Sequence, residues 1–171
     1  SSAFGRYRRA ETDLQMFGYY VMHNIGIGFQ CFAGGIFAGL GSAFFLLFNG
    51  AFAGAIGGYL IALGYSENFL SFVVTHGAFE LTAIVLSGAA GLSMGHSLIA
   101  PGRRTRLAAL RESATAAVPI IVAVVALLLI AAAVEAFWSS ARWVAPSVKF
   151  TVGGLCWLLV LAYFGWQGRA A

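Results

Sequence analysis

The chain has 171 residues, of which 60% are hydrophobic and only 9% charged, against the ~25% charged residues of a soluble globular domain. That composition excludes a water-facing surface and makes the bilayer the natural solvent. The net charge of +4 does not argue for nucleic acid, because the basic residues sit in short groups that flank apolar runs: Arg6/Arg8/Arg9, Arg103/Arg104/Arg106/Arg111, Arg142/Lys149 and Arg169. In that arrangement they act as orientation signals and do not form the stripe that phosphates require.

In chain order, Ser1 to Ala10 is polar and basic, and Asp13 to His23 mixes charge with Phe17, Tyr19 and Tyr20, which suits a short helix at the membrane interface. Residues 1–24 are therefore read as an extracytoplasmic segment with an interfacial helix, and 25–171 as the transmembrane domain. The start at Ser1-Ser2-Ala3, with no initiator Met and no leader-like pattern, is read as the beginning of a piece of a longer polypeptide.

Five spans are expected. The first, 25–48, carries Gln30 as its only strongly polar side chain and is long enough for ~30 Å of hydrocarbon. Asn49-Gly50 then interrupts the apolar run, leaving a short second span, 51–63, of only ~20 Å as a helix. The third, 69–97, exceeds an ordinary span and is expected to break at His76-Gly77, in the manner of a half-helix or re-entrant segment lined by protein or water. After an arginine-rich loop, 100–112, come spans at 117–137, with Pro119 near its start, and 148–166. The fold class is all-α: a polytopic transmembrane helix bundle.

The arginines of 100–112 place that loop in the cytoplasm, since the loop at 64–68 has no Lys or Arg. The C-terminus then also lies inside, Asn49-Gly50 toward the cytoplasmic side, and residues 1–20 outside.

Small residues recur at four-residue spacing in Gly35/Gly39, Gly50/Gly54, Gly54/Gly58 and Gly91/Gly95, which lets membrane helices approach closely, within one chain or between two copies. His76 and Glu80 form the sharper signal. They share a helix face at i, i+4, and ionisable groups inside an apolar stretch are costly enough to mark a functional site. The alternative is that Glu80 satisfies backbone N–H groups freed at the Gly77 break.

No metal or cofactor is expected, because HGAFE is not HExxH and one His with one Glu supplies only part of a catalytic zinc's three-ligand set. Glu135, near the end of its span, is expected to snorkel to the headgroups. Cys31 and Cys156 lie far apart in apolar runs and read as packing residues. With no GxSxG elbow, no Ser-His pair at useful spacing and no Gly-rich phosphate loop in the sequence, enzymatic chemistry is not expected. An intramembrane enzyme would need His76 as base or ligand beside Glu80 and a groove open to substrate.

Asn24, the Gly-rich first span, FNG at Phe48 to Gly50, HGAFEL at His76 to Leu81, SGAAGLSMG at Ser87 to Gly95 and EAF at Glu135 to Phe137 together resemble the stage II sporulation protein M family of bacterial membrane proteins. The resemblance runs from Asp13 to Arg169. It implies a multi-pass protein of the bacterial cytoplasmic membrane, with a cytosolic helical segment and one more span before this region in longer members. In sporulating bacteria the namesake looks like a scaffold for peptidoglycan-degrading partners.

The expected function is thus a non-enzymatic scaffold or anchor for a membrane or envelope complex, homo-oligomeric with a dimer favoured, in contact with lipid and other membrane proteins. The alternative is a transporter or channel. The candidate functional residues are Asn49, Gly50, His76, Gly77, Glu80 and Glu135.

Overall fold

The computed structural model describes residues 10–167, so the basic groups at Arg6/Arg8/Arg9 and Arg169 lie outside the described residues. The described chain is a bundle of five helices: α1 (Ala10–Ala33), α2 (Leu40–Ala62), α3 (Ser66–Ile99), α4 (Arg106–Ala133) and α5 (Pro146–Gln167). A 3-10 turn, Gly34–Ile36, follows α1, and a π-helical turn, Val134–Ser139, extends α4. Four segments are long and apolar enough to cross a membrane: Leu40–Ala62, Ser66–Ile99, Arg106–Ser139 and Pro146–Gln167.

The more polar α1 is not among those four, but it runs beside them and is not a separate interfacial helix. Its first half meets the far end of α4, where the Phe17 and Phe137 rings are 5.8 Å apart. Its last turn meets Gly91 of α3.

Four boundaries differ from the sequence reading, each for a physical reason. The expected first span is split, because the helix is interrupted within Gly34 to Gly39: Ala38 and Gly39 take positive φ (55° and 83°), and the end of α1 meets the start of α2 at Gly34 and Gly41. Asn49-Gly50 does not interrupt α2. Asn49 Nδ2 donates to its own helix at Phe45 O (2.7 Å), so the polar side chain is satisfied without leaving the helix.

Nor does α3 break at His76-Gly77; it is helical throughout its 34 residues. A helical glycine costs only about 1 kcal/mol relative to alanine, and α3 touches all four other helices, which outweighs that cost. Similarly, α4 starts at Arg106 and not near Ala117. Thr105 Oγ1 caps it by accepting from Ala108 N at 3.2 Å, the Arg104–Glu112 ion pair spans the first turns, and Pro119 is left inside the helix.

The central helix α3 is joined to its neighbours by different means. Against α1 and α2 it uses glycine: a Cβ on Gly91 would stand 2.6 Å from Cys31 O, and one on Gly95 would stand 2.6 Å from the Ala38 carbonyl carbon. Against α4 the contact is aliphatic, with Ala83, Val124 and Leu128 fully buried. Against α5 it is polar: Trp157 Nε1 donates to Val74 O (3.1 Å), Thr75 Oγ1 donates to Lys149 O (3.4 Å), and Gly153 packs on Val74.

Candidate functional site: a buried ionisable cluster

Glu80 lies 14 residues into α3, about 20 Å from its start, deep in the apolar part of the bundle. His76, one turn earlier, is 5% exposed. An unbroken α3 leaves no freed backbone N–H groups at Gly77, so Glu80 has no capping role.

What the fold brings to these two residues is Glu135. It sits in the first turn of the π segment and turns inward; it does not snorkel. One ligand atom each from His76, Glu80 and Glu135 lies within 4.8 Å of the others. The inward turn follows from the π geometry, whose wider turn is a recurrent feature of functional sites in helices.

Three further residues complete the cluster. Ser139, at the end of the π segment and 2% exposed, meets His76 Nδ1 through its Oγ at 3.0 Å. Its carbonyl accepts from Lys149 Nζ at 2.7 Å, so Lys149 of α5, 7% exposed, is connected to the imidazole through one serine. Asn24 of α1, 1% exposed, lies against the Glu135 carboxyl, and its Nδ2 makes no well-formed hydrogen bond among the described residues. Phe72 covers the other side of the imidazole, edge to face at 5.2 Å. His76 Nε2 is left 4.0 Å from Glu80 Oε2, beyond hydrogen-bonding distance.

The sequence-derived candidates thus divide. His76, Glu80 and Glu135 converge, whereas Asn49 is bonded back into α2, and Gly50 faces outward, where an added Cβ would meet nothing within 4 Å. Gly77 is buried within α3, where an added Cβ would make only an ordinary contact with Val73. Sequence reasoning missed Asn24, Ser139 and Lys149 as site residues. Lys149 carried a signal, a charge three residues into an apolar helix, but its position also suited a flanking orientation charge. An apolar cavity of about 60 Å³ between α1, α3 and α4, lined by residues such as Phe29, Val124 and Leu128, does not include the carboxylates.

A multi-pass helical membrane protein with an ionisable cluster enclosed by four of its helices is the class that fold and site define. Residues 2–140 match the family model described as stage II sporulation protein M, and the chain belongs to that family. The match includes Asn24, His76, Glu80, Glu135 and Ser139 and ends before Lys149. No curated protein and no solved structure matches the chain.

Proposed function

We propose that this protein is a non-enzymatic membrane transport component of the bacterial cytoplasmic membrane, and that His76, Glu80 and Glu135 form its cation-binding site. The observation that carries this reading is the convergence of the three side chains within 4.8 Å inside an apolar bundle. Ionisable groups at that depth are costly and mark ion pathways and relays. The structural explanation for Glu80, capping a broken helix, falls away because α3 is continuous. The arginines of the α3–α4 connection support a cytoplasmic position for that end, by the positive-inside bias.

The test is flux. The intact protein in liposomes loaded in turn with indicators for Na⁺, Ca²⁺ and Zn²⁺ is expected to pass at least one of these cations, and Glu80→Gln is expected to reduce that flux about tenfold or more. Wild-type vesicles no leakier than empty ones would remove the transport reading.

A second reading, a scaffold that docks copies of itself or other membrane proteins, rests on α2. Only 6% of its apolar window is buried. Phe44, Phe48 and Phe52 stack along its outer surface, and Gly50, Gly54 and Gly58 are open to approach by another helix. If flux is absent, this face is where partners are to be sought, by cross-linking.

A further inference from the structure

We infer that the His76–Glu80–Glu135 cluster is a divalent transition-metal site of the Zn²⁺ type. The inference rests on the cation-binding reading of the same residues and names its ion. The donors are one imidazole nitrogen and two carboxylates, from two different elements, with one ligand atom of each inside a 4.8 Å span. Mixed N and O donors suit Zn²⁺ and its first-row neighbours, whereas Mg²⁺ and Ca²⁺ take oxygen alone.

Three details of the geometry suit these groups to share one ion. His76 is oriented from behind by Ser139 Oγ, 3.0 Å from Nδ1: in the tautomer that protonates Nδ1, the neutral ring donates to the serine and presents the Nε2 lone pair to the carboxylates, which is how metal-bound histidines are normally held. Nε2 and Glu80 Oε2 are 4.0 Å apart. That is too far to bond each other, yet a shift of less than about 1 Å brings both to the 2.0–2.2 Å at which zinc takes its N and O ligands. Finally, the Asn24 carboxamide, 1% exposed and lacking a well-formed hydrogen bond at Nδ2, lies against Glu135. Turned over, it offers Oδ1 as a fourth ligand, an orientation that hydrogen-bond partners and not atom positions decide.

Charge gives the same answer. Two carboxylates in an apolar bundle are neutralised either by protons or by bound positive charge. The only described cation bonded into the cluster is Lys149, whose ammonium donates to the Ser139 carbonyl. A divalent ion neutralises both carboxylates where they stand.

The experiment uses the intact protein in detergent, stripped with chelator and titrated with Zn²⁺, with zinc-edge X-ray absorption on the loaded wild type. The expected result is one Zn²⁺ per chain, with one imidazole and otherwise oxygen donors. Glu135→Gln is expected to weaken binding at least ~10-fold, and replacing the exposed His23 and His96 to leave it unchanged. No saturable Zn²⁺ binding below about 0.1 mM, sulfur or several imidazoles around the ion, or loss of binding with His23 and His96 would each overturn the assignment. The absorption spectrum decides even if Glu135→Gln fails to fold. Zn²⁺ binding without flux removes transport and leaves this site, whereas flux of another cation without Zn²⁺ binding does the reverse.

Discussion

Gly91→Ala is expected to destabilise the bundle by roughly 3 kcal/mol or more, beyond the usual range for overpacking in a core. A methyl group there would meet Cys31 O at 2.6 Å and Phe32 O at 2.7 Å, along with the Ser42 hydroxyl. Two of these obstacles are backbone atoms of the last turn of α1, so no rotamer change relieves them, and the whole α1–α2 junction must move off α3. Gly54→Ala is the matched control: the same four-residue motif and the same chemical change, but nothing within 4 Å, so its stability is expected to stay level or rise slightly with helix propensity. Thermal unfolding in detergent, followed by helical circular dichroism, compares the two. Equal midpoints would mean that α1 and α2 do not pack on α3 through glycine.

The double variant Glu80→Gln/Glu135→Gln is expected to separate stability from function. Removing both carboxylates takes two ionisable groups, costly to bury, out of an apolar interior while keeping shape. The metal-free double variant should therefore unfold at or above the wild-type temperature, yet bind no Zn²⁺ and carry no cation. His76→Leu should do the opposite to stability. It leaves the buried Ser139 hydroxyl without its imidazole partner, with a cost expected at about 1–3 kcal/mol. If the double variant is strongly destabilised, the carboxylates hold the bundle together and the cluster is structural.

The segments most legible in the sequence are those in which hydrophobicity runs long and uninterrupted. The last two spans can be read there because lipid demands about 20 apolar residues whatever surrounds them; the structure lengthens them to Arg106–Ser139 and Pro146–Gln167. Breaks are far less legible. Asn-Gly and His-Gly look like interruptions, while the actual one, through Ala38 and Gly39, is hidden in a run that reads as continuous span. Glycine supplies one local signal for two opposite outcomes, a turn at Gly39 and a close helix contact at Gly91, and only the neighbouring helix selects between them.

The site shows the same division. An i, i+4 His–Glu pair is a property of one helix, so His76 and Glu80 can be picked out from spacing alone. Glu135 is 55 residues further on, and its direction depends on a π turn whose extra backbone width no residue pattern announces. Asn24 and Lys149 enter from the first and last helices. Sequence alone determined that this chain lives in a membrane, as a helical bundle, with His76 and Glu80 at depth, because those facts follow from composition and helical period. Tertiary structure alone decided that Glu135, Ser139, Lys149 and Asn24 join them, because assembly of a buried polar cluster depends on how separate helices pack, and that packing is set by close contacts such as Gly91 on α1 and Trp157 on α3.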